Sequence, residues 1–359
     1  MRYLSVCSGI EAASVAWKHL GWEAVGFAQI DHAENKQEAY FNRYACAVLA
    51  HHYPTVTNYK DIHNITKENL NGTAKFDLLV GGTPCQSFST IGKRGGLNDA
   101  RGQLTFEFVR ILRDFKPRWF IWENVLGAMS SNGGRDFHAV ISAFTKEGYS
   151  VGWDVLSGPH VGIPQSRNRV FVVGCLGGTA EHIDKVLFKS KVSRWSLETN
   201  KQTRQAEHNT TADNESSAFL VTETHSRIGH TVNETIAPTL CKQIGKGGKH
   251  VPMVAQLDKE ISGCVTKHRA KGPCYEDMQQ QSVIPYTDGE RWILRKLTPT
   301  ETERLMGFPD GYTAVPWLGK LKENAPDTPR YAALGNSMIV PIMEWLGRSI
   351  EAVNNQMNQ

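Results

Sequence analysis

An open α/β sheet is the fold predicted by the first half of this 359-residue sequence. Three observations predict it. Short apolar runs alternate with helical stripes, as in Tyr3 to Val6 before a helix whose Ala13, Ala16, Trp17 and Leu20 share one face. A glycine turn, Cys7-Ser8-Gly9, joins that first strand to that first helix. Finally, groups able to do chemistry recur just past strand ends, where open α/β sheets collect their ligands. Cys85 follows Phe76 to Val80 and the pair Gly81-Gly82, and Glu123 follows Arg118 to Trp122.

The elements follow in order. Strand, glycine turn and helix form the opening unit of a nucleotide-binding α/β fold, and Gly21 closes the helix. Glu23 to Ile30 reads as a second strand that ends at Gln29-Ile30-Asp31, about 20 residues after the turn, where such a fold expects a group for ribose hydroxyls. A helix with Glu38, Tyr40 and Phe41 comes next, and Asp61-Ile62 ends a weakly marked third segment. As plain structure, Asp31 and Asp61 would be helix caps. Phe108, Ile111, Leu112 and Phe115 make the stripe of a further helix, Phe137 to Phe144 another, and Tyr149 to Ser157 a strand. Ahead of the apolar strand Val170 to Val173, alternation sets Gln165, Arg167 and Arg169 on one side of an extended segment. Thr298-Pro-Thr-Glu301 is a helix start with a capping box, ended by Gly307. The last helix carries Ile339, Ile342, Met343, Leu346 and Ile350 on its apolar side and is expected to pack on the first βα unit.

Composition narrows the function classes. A net charge of +4 permits a nucleic-acid partner without requiring one. The 7 cysteines include no Cys-x-x-Cys pair, so neither a disulfide framework nor a zinc site is expected. No apolar run approaches the ~20 residues of a spanning helix, and a cytoplasmic protein, nucleoid-associated when on DNA, is the expectation. Pro84 and the preceding glycines present Cys85 at the rim of the sheet. The segment after it, Ser87 to Gly102, holds Lys93, Arg94 and Arg101 against Asp99 and suits a basic lid over a polyanion.

Five segments, in order, resemble the motifs of DNA (cytosine-5) methyltransferases of the bacterial and bacteriophage type. They are Pro84-Cys85-Gln86, Glu123-Asn124-Val125, Gln165-x-Arg167-x-Arg169, Arg295 to Asp310, and Leu334-Gly335-Asn336-Ser337. The resemblance covers residues 4–175 and 294–350. It implies a Rossmann-like S-adenosylmethionine-dependent methyltransferase fold with a smaller, irregular target-recognition domain. The catalytic domain would span residues 1–176, recognition 177–290, and the return to the catalytic domain 291–359.

By the same resemblance Cys85 would be the nucleophile, Glu123 the acid at ring nitrogen 3, and Arg167 and Arg169 the holders of base oxygen and phosphate. S-adenosyl-L-methionine would lie on Ser8, Gly9, Ile10, Gln29, Ile30, Asp61, Ile62, Pro84, Leu104, Asn336 and Ser337. Two departures fall on that side. The usual F-x-G-x-G-G is Cys7-Ser8-Gly9-Ile10-Glu11-Ala12 here, and the usual ribose-binding acid is Gln29, an uncharged and weaker acceptor.

Double-stranded DNA is the expected partner of a monomer, with a cognate restriction endonuclease left open. Its contacts would include Gln86, Ser89, Lys93, Arg94, Arg101 and Gln165. Charge is balanced over 177–290, but residues 242–271 concentrate Lys242, Lys246, Lys249, Lys267, Arg269 and Lys271 among glycines, which suits phosphate contact. An RNA cytosine-5 methyltransferase and a catalytically silent DNA-binding protein remain as rivals. The long polar region speaks against the first, and the intact Cys85, Glu123 and Arg169 against the second.

Overall fold

In the computed structural model, residues 1–70, 75–83, 100–165, 167–187, 218–223, 230–232, 253–258, 282–285 and 291–358 are described; for residues 100–103 and the segments between 218 and 296 this holds for the backbone only. The first strand, β1 (Arg2–Val6), leads through the turn at Gly9 into α1 (Ala12–Trp17). Then come β2 (Glu23–Ala28), α2 (Lys36–His52), β3 (Leu78–Gly81), α3 (Ala100–Phe115) and β4 (Trp119–Val125). A short α4 (Gly127–Ser130), α5 (Arg135–Lys146), β5 (Tyr149–Leu156), β6 (Arg169–Leu176) and α6 (Ala180–Leu187) complete this half.

These strands form one six-stranded sheet in the order β2-β1-β3-β4-β6-β5. The first four are parallel, and β6 runs antiparallel to both β4 and β5. Because side chains alternate across a strand, each apolar run feeds two cores. Leu78, Val80, Trp119, Ile121, Phe171 and Val173 enter one face with Ala13, Trp17 and Ile183. Leu79, Phe120, Trp122, Val170 and Val172 enter the other with Phe108, Ile111, Val140 and Phe144. The expected third segment contributes a single bridge, Asn58 to Phe27, in place of a strand.

The stretch with little apolar periodicity carries a second sheet, β10-β11-β9-β7-β8, whose pairings are all antiparallel. It contains β7 (Ala218–Glu223), β8 (His230–Val232), β9 (Met253–Asp258), β10 (Ser282–Pro285) and β11 (Arg291–Lys296). The last of these lies beyond residue 290, so the sheet draws in residues that composition assigned to the catalytic return.

Three helices follow: α7 (Pro299–Met306), α8 (Asp327–Asn336) and α9 (Val340–Met357). Thr298 and Glu301 close a capping box at the start of α7, and Gly307, at φ 78°, ends it. Helix α9 lies against α1, where the Trp17 indole donates to the Met343 carbonyl at 2.7 Å. Gly347 makes that approach possible, since a Cβ there would collide with the Trp17 ring. The consequence for the site is direct: Asn336, Ser337 and Met338, just before α9, line the same cavity as Ser8 and Gly9.

Candidate active site

The chain moves to β2 on one side of β1 and returns to β3 on the other, which makes the β1/β3 boundary the switch point where such sheets bind ligands. A cavity lies there. Its walls are the turn Cys7-Ser8-Gly9 with Glu11, the ends of β1 and β3 with Gly82, the Glu123 side of β4, and Asn336 to Met338.

The turn is held from several directions. Cys7, Gly9 and Glu11 all have positive φ, at 51°, 59° and 65°. The Gly9 amide donates to Gln29 Oε1 at 2.8 Å, and Gln29 Nε2 donates to the Ile30 carbonyl at 3.0 Å. Gln29 therefore braces the turn with one bond at each end of its amide, and keeps a second acceptor site on Oε1 and a second N–H on Nε2 for a ligand. Ile10 is fully buried and presents only its carbonyl, which accepts from the Tyr312 hydroxyl at 2.7 Å. Asp61 caps a short 3-10 turn, Ile62–Asn64, and its carboxylate accepts from the His63 amide at 3.0 Å and meets the His63 ring at 2.6 Å. Arg110 of α3 secures that turn by donating to the carbonyls of Ile62 and Ile65. Ile30 is half-buried, Ile62 is buried, and Leu104 packs among the apolar residues of the α3 face. Asp31, the other expected cap, instead pairs with Lys60 at 2.9 Å, while Asn35 caps α2.

Burial raises two groups of this wall. The Glu11 carboxyl is pushed up by loss of water and drawn back by the Ser14 and Ser5 hydroxyls. Burial, with Asp61 nearby, lifts the Cys7 thiol to about 12.

The opposite wall carries the acid. A Cβ on Gly82 would stand 2.8 Å from Glu123 Oε2, so the absence of a side chain there is what lets the carboxylate lie over the end of β3. Strand register sets Val125 opposite Arg169 and Glu123 opposite Phe171, and the Arg169 Nε sits 3.1 Å from Glu123 Oε1. Thr83, the last described residue before Pro84-Cys85, is fixed by the Trp122 indole, which donates to its hydroxyl at 2.9 Å, and by Thr105 at 3.0 Å.

The three groups expected on one face separate. Only Arg169 reaches the acid. Arg167 is buried and donates to the Gly335 carbonyl at 3.1 Å, so it braces the end of α8. Gln165 is fully buried and donates to the Leu305 carbonyl at 2.8 Å, which places it in α7 packing and away from any DNA surface. Strand alternation fails here because β6 begins only at Arg169 and the chain before it turns: the Gln165 amide donates to the Ile163 carbonyl. Asn336 is the last residue of α8 and Ser337 its C-cap, with the Ser337 amide donating to the Leu334 carbonyl at 3.1 Å; the N-cap of α9 is Ile339.

Pro84, Cys85, Gln86, Ser89, Lys93, Arg94, Lys242, Lys246, Lys249, Lys267, Arg269 and Lys271 lie outside the described residues, as does the side chain of Arg101. Sequence reasoning missed Glu11, Cys7 and Met338 as lining residues. The signal for Glu11 was available, since it stands where the motif ordinarily has glycine.

The family model for C-5 cytosine-specific DNA methylase matches residues 1–352. The chain belongs to that family. Among curated relatives, the DNA N-6-adenine-methyltransferase of Escherichia phage P1 is 27% identical over 472 residues, covering 97% of this chain and 61% of the relative. The orphan methyltransferase M.SPRI of Bacillus phage SPR is 36% identical over 176 residues, 48% of this chain and 37% of its own length. The type II methyltransferase M.HpaII of Haemophilus parainfluenzae is 26% identical, covering 97% of this chain and 88% of that one. The chain thus spans 61%, 37% and 36% of the first three curated relatives it matches.

Of solved structures, the S. pombe Dnmt2 methyltransferase superposes with a TM-score of 0.62 at 20% identity over 100% of both chains. The Entamoeba histolytica methyltransferase EhMeth gives 0.56 at 16% identity, covering 98% of each chain. These likenesses speak to fold, and the fold of this family member is that of S-adenosylmethionine-dependent methyltransferases. Among the described residues no helix is long and apolar enough to cross a membrane.

Proposed function

We propose that the chain methylates carbon 5 of cytosine in double-stranded DNA with S-adenosyl-L-methionine as donor. The observation that carries this reading is Glu123, which lines the cavity together with Gly82, the glycine turn and Ser337 and is paired at 3.1 Å with Arg169 behind it. An acid and a cation stand together at the end of the strand that leads to Cys85.

The cavity suits the donor chemically. Its lining has the Glu123 carboxylate, several backbone and hydroxyl groups, and no Lys or Arg among the described residues, which favours a cationic sulfur. Ser8, Gly9, Asn336 and Ser337 would hold the donor. When bound, S-adenosylmethionine supplies the methyl group as an electrophile.

The remaining work falls to the chain. Carbon 5 of cytosine is a weak nucleophile until the ring is opened to attack by addition at carbon 6. The Cys85 thiolate would form that bond, and the displaced electron pair would move to ring nitrogen 3, where Glu123 delivers a proton. Arg169, already beside Glu123, would hold the base oxygen as charge grows there. Arg167, on the Gly335 carbonyl, would act through the backbone it supports. Carbon 5, made electron-rich by that addition, would take the methyl group and leave the donor as a neutral thioether; loss of the carbon 5 proton to solvent would then re-form the ring double bond, expel the Cys85 thiolate and return the nitrogen 3 proton to Glu123. None of these groups can reach a stacked base, so the cytosine would leave the duplex. The sheet of β7 to β11, with the basic residues 242–271, would read the flanking sequence.

Incubation with duplex DNA containing 5-fluorocytosine tests the reading. A covalent complex is expected in the presence of S-adenosylmethionine, because fluorine blocks the last elimination. Bisulfite sequencing of host DNA should report methylated cytosines at one short motif. Methyl groups found only on adenine N6 would sink the proposal, as would preference for RNA over duplex DNA.

A further inference from the structure

The proposed reaction makes no use of Glu11. It is 1% exposed, adopts φ 65° and ψ 62°, and still contributes to the cavity wall. An L side chain in this left-handed region crowds its own following carbonyl, so the conformation is disfavoured for anything but glycine and, to a lesser degree, asparagine. Hydrogen bonds offset that cost. One carboxylate oxygen accepts from the Ser5 hydroxyl on β1. The other accepts from the Ser14 hydroxyl at 2.6 Å and the Ser14 amide at 3.2 Å in α1. Ser14 in turn meets the Tyr3 hydroxyl at 2.6 Å. Both carboxylate oxygens are thereby committed to the protein's own donors.

We propose that Glu11 is a positioning residue, whose hydrogen bonds to Ser5 and Ser14 hold its own left-handed backbone and with it the turn of residues 7–11 that forms the cofactor wall. Hydrogen bonding does here what conformational freedom does at a glycine. The inference rests on the reading of this cavity as the S-adenosylmethionine site.

Rank order among variants separates the idea from its competitors. S-adenosylmethionine is titrated calorimetrically into the full chain and into E11G, E11N and E11A, with melting temperature and duplex-DNA affinity measured on the same preparations. Glycine supplies the backbone shape and water can occupy the vacated polar space, so E11G and E11N should bind within about threefold of the parent. E11A keeps neither the shape nor the bonds and should bind about tenfold more weakly. DNA affinity measured without cofactor should be unchanged in all three. Equal losses in E11G and E11A would overturn the proposal in favour of direct contact with the ligand. Loss of DNA affinity in step with melting temperature would overturn it in favour of a general folding defect, and no loss in any variant would remove it outright.

Should E11A melt below the titration temperature, melting order decides: E11G above E11A supports the proposal, and the reverse overturns it. Should the parent chain fail to bind S-adenosylmethionine, the functional reading falls while that melting order still tests the role of Glu11.

Discussion

The two walls of the cavity are built differently. On the turn side every polar side chain described above is already engaged: Gln29 with Gly9 and Ile30, Glu11 with Ser5 and Ser14, Asp61 with His63. On the acid side the polar groups are less fully matched. Glu123 Oε1 is buried and meets the Arg169 guanidinium as an ion pair without hydrogen-bond geometry, and Asn124 Nδ2, on a residue 1% exposed, has no partner among the described residues. Buried polar groups are ordinarily matched, so the open Glu123 oxygen fits a wall at which the proposed reaction would bring a substrate group, and the engaged turn fits one made in advance.

The largest effect that would break this comparison is at Cys85. C85A should reduce methyl transfer to duplex DNA by about 10⁴-fold or more while leaving DNA affinity within a few-fold, as measured by tritium incorporation and gel shift. Retained turnover would place the chemistry elsewhere. The two arginines come next, since the geometry assigns them opposite roles. R169M should lower kcat by about 10²–10³-fold with little change in melting temperature, because its partner Glu123 is the acid of the proposed reaction. R167M should instead cost about 1–3 kcal/mol of stability in urea unfolding, since it removes a buried donor from the Gly335 carbonyl. Identical phenotypes would erase the distinction between the walls.

A smaller effect sharpens the reading of the turn. From sequence alone, Q29E restores the usual ribose-binding acid and should tighten cofactor binding. The structure predicts the opposite sign, because the new oxygen would face the Ile30 carbonyl that now accepts from Nε2. A loss of about 1–2 kcal/mol in stability with no gain in affinity is expected. Smallest is the difference between two thiols. Burial raises Cys7 to about 12, so at pH 8 it is almost wholly in the neutral, unreactive form, and its reactive fraction grows only as pH climbs toward that value. Peptide mapping after iodoacetamide treatment at pH 8 should find Cys85 alkylated well before Cys7.

Much of this was legible in the residues because local physics wrote it there. Apolar runs of four to seven residues, short for a helix and bounded by glycine or a charged group, read as buried strands, and the order of five motifs restricted the family. The capping box at Thr298 and Glu301 is likewise a short-range matter. Periodicity misled where the chain is neither strand nor helix. Alternation placed Gln165 and Arg167 beside Arg169, but the turn at Ile163 to Gln165 directs the first into α7 and the second toward α8.

The sequence by itself therefore determined the alternating sheet architecture, the family, and the strand ends on which reactive groups must lie, since each depends on residues close together in the chain. Only the tertiary structure decided which of those groups face one cavity and which serve the scaffold. Residues 167 and 335 are brought together by packing of distant elements, and no local pattern encodes whether a buried polar group ends up bonded to its own protein or left open to a substrate.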